Sequence, residues 1–317
     1  MSAASHKSMM SPRVAFQRGT ARIWLQKRVI LWLYMVNVVF AAVLIYPFRA
    51  VVGELSKTGL ADDFVAGFQI DSFAHYWSRY SPVLKSLTFS AGGLGVLYLI
   101  VGIFLGGGIV AALAVERRVS LRRFLYDASR YFGRFLRLFI LLVAAMGLLV
   151  AGYKLLLSDI IDDLQEAATT DRASFLWRVL GIAIVLLCCT FVMMVFDYAK
   201  IRMVADHHRR SSFLAAVSAL AFSVRRSWRT LPLFGLNLLI VLLLFVLYLL
   251  VENLFSNVTP ISMIGLFVVQ QVFILSRIWM KLSFFATQTA FYQDVTSPLP
   301  SELGTVANGM NRPTGLR

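Results

Sequence analysis

The last apolar segment of the chain carries four polar residues, Gln270, Arg277, Lys281 and Gln288, at steps of seven, four and seven residues. At about 100° per residue, those steps place all four within a stripe roughly 40° wide on one helix face. An ionisable side chain near mid-bilayer costs roughly 2.5 to 3.5 kcal/mol on insertion scales, so its presence needs a reason. A helix starting at Ile261 rises about 24 Å before Arg277, which puts that cation toward one boundary of the bilayer. Two readings stand side by side. In one, Arg277 and Lys281 snorkel to headgroups or pair with Asp197, which ends the fourth apolar run at a comparable depth, in a fold-holding ion pair. In the other, the stripe faces a cavity on the cytoplasmic side and, with Arg202, binds an anionic headgroup or a small anionic solute.

Other residue types that carry chemistry form no pattern. The sequence has no H-E-x-x-H zinc helix, no Walker loop and no G-x-S-x-G elbow. Its histidines are His6, His75 and the neighbours His207 and His208. Adjacent histidines on a helix point about 100° apart, which makes a poor metal site. Asp71 and His75, four residues apart, read as an ion pair at most. Cys188 and Cys189 are adjacent inside an apolar run, where they pack as small apolar groups and form no ordinary disulfide. No catalytic residue, cofactor site or metal site is expected, and the chain reads as a non-enzyme.

The elements that position the stripe follow from composition. Of 317 residues, 59% are hydrophobic and 15% charged. A soluble fold cannot bury that much apolar surface. The apolar residues gather in Val29–Phe48, Gly93–Ala114, Phe135–Leu157, Leu176–Phe196, Leu231–Val251 and Ile261 to about Phe291. Each is about as long as a hydrocarbon core of roughly 30 Å requires, and backbone amides in lipid must be satisfied within the segment. The expected fold is therefore all-α and polytopic, with six transmembrane helices. The organisation read from the sequence is a basic segment at 1–28, a membrane domain at 29–293 and a disordered tail at 294–317, which is rich in Pro, Ser, Gly and Asn. The first run, with its long basic flank, reads as a retained signal anchor.

The net charge of +15 is sorted by side. Lys7, Arg13, Arg18, Arg22, Lys27 and Arg28 precede the first run; Arg117, Arg118, Arg122, Arg123, Arg130, Arg134 and Arg137 lie between the second and third. The segment after the fourth adds Lys200, Arg202, Arg209, Arg210, Arg225, Arg226 and Arg229. The turn between the third and fourth runs is acidic instead, with Asp159, Asp162, Asp163, Glu166 and Asp171. By the positive-inside rule both termini face the cytoplasm, and the arginines meet anionic phospholipid headgroups. Nucleic acid is not an expected partner, since no aromatic-basic module accompanies the charge. Protein partners in the membrane are possible.

A weak internal repeat accompanies this topology. Basic amphipathic stretches precede the odd-numbered runs: Val14–Trp24, Leu121–Leu136 and Ser212–Trp228. In the last, Phe213, Val217, Leu220 and Val224 recur at helical spacing, so the pattern predicts interfacial helices leading three helical hairpins. Gly95, Gly102 and Gly106 form a face suited to close helix approach, and Asn237 reads as an interhelical hydrogen-bond partner. In the segment 51–92, Leu60, Phe64, Phe68, Phe73, Tyr76, Trp77 and Tyr80 predict short helices on the outer interface.

The segment from Gly106-Gly107-Gly108 through Arg122-Arg123-Phe124 to Arg134-Phe135-Leu136-Arg137-Leu138, with Asp197-Tyr198-Ala199-Lys200-Ile201-Arg202, resembles uncharacterised six-helix bacterial membrane families. These are similar to the membrane domain fused to some glycerophosphodiester phosphodiesterases. The resemblance implies a bacterial inner-membrane setting. In the fused proteins a separate soluble barrel carries the chemistry, so the resemblance also points away from enzyme activity here.

Two functions fit these features: a membrane scaffold or lipid-interacting component, and a small transporter or permease component for an anionic solute or lipid. Orientation is open to direct test. Alkaline phosphatase fused after Glu166 is expected to be active, and fused after Arg118 or Arg209 inactive; the opposite pattern would invert the topology.

Overall fold

The computed structural model describes residues 11–56, 81–115, 117–168, 170–205, 211–255 and 259–296. The features read at His6, Leu60 to Tyr80 (with Asp71 and His75), His207 to Arg210, and the tail beyond Thr296 lie outside the described residues. Among those described there are helices and no strand. In chain order they are α1 (Pro12–Leu25), α2 (Lys27–Ser56), α3 (Ser81–Ala114), α4 (Leu121–Leu156), α5 (Ser158–Glu166), α6 (Asp171–Ala205), α7 (Ser212–Arg225), α8 (Ser227–Asn253) and α9 (Pro260–Thr296). Six of them, α2, α3, α4, α6, α8 and α9, are long and apolar enough to cross a bilayer. The protein is thus an all-α, multi-pass integral membrane protein.

Five of the six expected runs each fall within one of these helices, and the third, Phe135–Leu157, ends one residue past α4, at its C-cap. The sixth is a single helix that continues through Arg277 and Lys281. Nothing in that stretch breaks a helix, since arginine and lysine are good helix formers and the one proline, Pro260, sits at the start.

The repeat acquires a physical marker. Ser11, Ser120 and Ser211 stand in extended backbone, and each hydroxyl accepts a hydrogen bond of 3.4 Å from the amide three residues on: Val14, Arg123 and Leu214. A serine N-cap satisfies one of the amides a helix start leaves open. Fifteen residues after the first and third caps the helix breaks, at Gln26 (φ −104°, ψ 32°) and Arg226 (φ −126°, ψ 24°). The corresponding middle stretch does not break; α4 runs on unbroken into its apolar part.

The chain divides into two compact units, one of Met1–Gln26 with Gly107–Arg317 and one of Lys27–Gly106. In the smaller unit Tyr98 donates to Asn37 (2.8 Å) and packs edge-on against Phe40 at 5.1 Å. Among the described residues nothing lies within 4 Å of a Cβ placed at Gly95 or Gly102, so none of them makes the expected close approach there. It occurs one turn later, in the larger unit. A Cβ at Gly107 would meet Tyr131 at 2.9 Å, and one at Gly108 the Phe124 carbonyl at 2.8 Å. The displacement follows from where α3 has a neighbour: its C-terminal turns pack on the start of α4, while Val96 to Ile100 are exposed.

The core of the larger unit surrounds the second half of α9. Leu282, Ala286, Ala290, Phe291 and Tyr292 are buried there. α1 lies along this stretch through Ala15, Gly19 and Ile23, all buried and four residues apart. The approach is close enough that a Cβ on Gly19 would stand 2.7 Å from the Thr287 backbone. On the other side, Asn237 of α8 donates to Thr287 at 3.2 Å and to the Leu233 carbonyl at 2.9 Å, the interhelical bond its position suggested. Tyr198 of α6, Phe222 of α7 and Tyr292 of α9 pack in sequence as tilted ring pairs, at 5.3 and 5.4 Å.

Gln26, at the break after α1, is buried and makes three hydrogen bonds. It donates to the carbonyls of Ala112 (3.1 Å) and Arg117 (2.6 Å) and accepts from the Val119 amide (3.3 Å). Gln293 of α9 donates to the Ala114 carbonyl (3.1 Å) and accepts from Arg22 of α1 (2.7 Å). The open carbonyls at the end of α3 are thus capped from distant parts of the chain. Gln26→Leu, which leaves these buried groups unpaired, is expected to cost about 1–3 kcal/mol per orphaned group. Gly19→Val is expected to cost about 1–3 kcal/mol by overpacking. Gly147→Ala, in open space, is expected to stay within about 0.5 kcal/mol of the parent. Thermal unfolding in detergent checks all three; an unshifted midpoint for Gln26→Leu would refute the capping role.

Candidate functional site

α8 and α9 run antiparallel in a register fixed by two aromatic pairs. Phe234 packs edge-on against Phe284 at 5.0 Å, and Phe245 meets Phe273 at 6.5 Å. The pairs are eleven residues apart on both helices, which is about three turns, so all four rings share one interface. Tyr248 stacks on Phe273 at 4.2 Å and extends the aromatic wall. Between the pairs, α6 and Leu142 of α4 complete a groove of about 660 Å³. Met193, Val241, Leu244, Met280 and Phe285 add to its apolar lining. This volume is within the range of small-molecule sites, about 300–1,000 Å³.

Its charged side chains come from two helices. Asp197 and Lys200 project from α6, Arg277 and Lys281 from α9, and Ser276 adds a hydroxyl. Each pair is spaced three or four residues apart, so one helix face supplies both members. Asp197 accepts from Lys200 at 2.9 Å, and the Lys200 ammonium stands 5.3 Å from the centre of the Phe285 ring. A cation over an aromatic face is worth about 0.5–1 kcal/mol at exposed sites, which helps hold Lys200 in place. Arg277 and Lys281 are exposed. Among the described residues no carboxylate comes within 4.0 Å of either, although Asp197, Lys200 and Arg277 are the charges that surround Lys281.

The stripe read from the sequence therefore divides into three environments. Arg277 and Lys281 enter the groove. Gln270, half-buried, lies beside Tyr248 and outside the groove lining. Gln288, seven residues past Lys281, is buried in the core, and among the described residues neither of its amide atoms has a hydrogen-bond partner. Arg202 does not line the groove; five residues beyond Asp197, it is rotated about 140° around α6. Asp197 does form an ion pair, with Lys200 of its own helix. Lys200 is the site residue that the sequence reading passed over, and its spacing of three from Asp197 was the available signal.

The arrangement can receive an amphipathic anion. Two cations without close carboxylates offer donors to an acidic group, and a continuous apolar wall reaching toward Phe245 and Phe273 accepts a hydrocarbon tail. No family model, curated protein or solved structure matches the chain.

Proposed function

We propose that this protein is a non-enzymatic integral membrane protein that binds anionic phospholipid in the groove between α6, α8 and α9, and acts as a lipid-interacting scaffold. The observation that carries this reading is the joining of Arg277 and Lys281 to an apolar wall within one groove. A headgroup that satisfies both cations leaves its chain against surface that is already hydrophobic. With the arginine-rich loops, the reading includes a bacterial inner-membrane location with both termini cytoplasmic. It also keeps the resemblance to the membrane domain of glycerophosphodiester phosphodiesterases, without their phosphodiesterase chemistry.

Native mass spectrometry of the purified protein tests the proposal. Anionic phospholipid is expected to co-purify with the parent, and Arg277→Ala with Lys281→Ala to reduce its retention at least about tenfold, an energy of about 1.4 kcal/mol. Unchanged retention in the double variant would sink the proposal.

Transport of an anionic solute or lipid is the alternative, favoured by the cations on α9 and by the groove's location within a membrane bundle. It requires a hydrated path across the whole membrane. In a Cys188→Ser, Cys189→Ser background, single cysteines at 270, 277, 281 and 288 separate the two readings. Water-soluble thiol reagents are expected to label only positions near the arginine-rich end; labelling of all four from both sides would favour transport.

A further inference from the structure

The groove also carries information about which anionic head it takes. Asp197 is already engaged, bonded to Lys200 at 2.9 Å, and that ammonium is held in turn over Phe285. This pair is close to electrically neutral. Arg277 and Lys281 are left as two positive charges one helical turn apart, an arrangement in which like charges destabilise each other. Apart from Ser276 and the Asp197–Lys200 pair, the groove lining is apolar, which leaves their repulsion less screened than on a fully hydrated surface.

A phosphate diester, the usual linkage within a phospholipid head, brings one negative charge. A terminal phosphate monoester brings about 1.5 to 2 near neutral pH, with three acceptor oxygens. Arg277 can engage two of those oxygens through its planar fork, and Lys281 the third as a point charge. A headgroup amine finds no open counter-charge, because Lys200 already holds the groove's one described carboxylate.

We infer that the groove selects a membrane amphiphile whose head is a terminal phosphate monoester over phosphodiester and amine-bearing lipids. The inference rests on the lipid-binding reading above and adds the headgroup class to it. Free phosphate shares the head chemistry, but the apolar wall toward Phe245 and Phe273 commits the site to a lipid.

The full-length protein in detergent, titrated separately with phosphatidic acid, phosphatidylglycerol and phosphatidylcholine of matched acyl chains, tests this by native mass spectrometry. Phosphatidic acid is expected to bind at least about tenfold more tightly than phosphatidylglycerol, and phosphatidylglycerol more tightly than phosphatidylcholine. Lys281→Gln is expected to bring the first ratio close to one, while Arg225→Gln, an exposed cation outside the groove, leaves it unchanged. Millimolar inorganic phosphate is expected not to displace bound phosphatidic acid.

Equal binding of the two anionic lipids, both above phosphatidylcholine, overturns the headgroup inference and leaves the lipid-binding proposal standing. Equal binding of all three overturns both. Displacement by inorganic phosphate overturns the assignment to a lipid. A preference that survives Lys281→Gln but falls in Arg225→Gln overturns the placement in the groove.

Discussion

A helix that ends at or near a bilayer leaves carbonyls without intrahelical donors, and hydrocarbon offers no water to satisfy them. At the end of α3 those donors are glutamine amides brought from far along the chain: Gln26 serves Ala112, with Arg117 just beyond the helix, and Gln293 serves Ala114. Both residues do a second task. Gln26 also accepts from Val119, which ties down the connection into α4, and Gln293 accepts from Arg22 and so fastens α1 to α9. One requirement of backbone chemistry thus joins the start of the chain, its middle and its last helix. Gly19 of the same α1 fits closely against the Thr287 backbone of α9.

The same region shows why polar groups concentrate in the second half of α9. Asn237 and Thr287 satisfy each other in part across α8 and α9, and Thr287 also donates to its own backbone. Hydrogen bonds between helices in a membrane are individually modest, about 0.6 kcal/mol on average, so they specify register more than they supply stability. Register is what the groove needs. The two aromatic pairs and the Asn237 bond set α8 against α9, and Arg277 then falls between the rings and not behind them.

Charge in the groove is arranged by helix periodicity and neighbours together. Asp197 and Lys200 meet because a spacing of three returns to nearly the same face of α6. Arg277 and Lys281 share a face of α9 for the same reason. Their contrast arises from sign: one pair cancels internally, while the other sets two like charges on one helix face. The resulting site is asymmetric even though both halves are built from ordinary helical spacing.

The sequence by itself determined the number and extent of the apolar helices, because hydrocarbon thickness and backbone satisfaction leave a chain of this composition little choice. It also placed Arg277 and Lys281 on one face, since helical geometry is local. It gave no sign that Gln26 and Gln293 cap a helix some ninety and one hundred and eighty residues away. Nor did it show that Gly107 and Gly108, not Gly95 and Gly102, meet a neighbour. The four-residue stripe on α9 was legible as an angle but not as a site. Tertiary packing buried Gln288 in the core, set Gln270 beside Tyr248 and left the two cations in the groove. Periodicity fixes the direction a side chain takes from its own helix; what it meets there depends on which other helices come alongside, and in this chain that is decided by contacts between residues far apart in sequence.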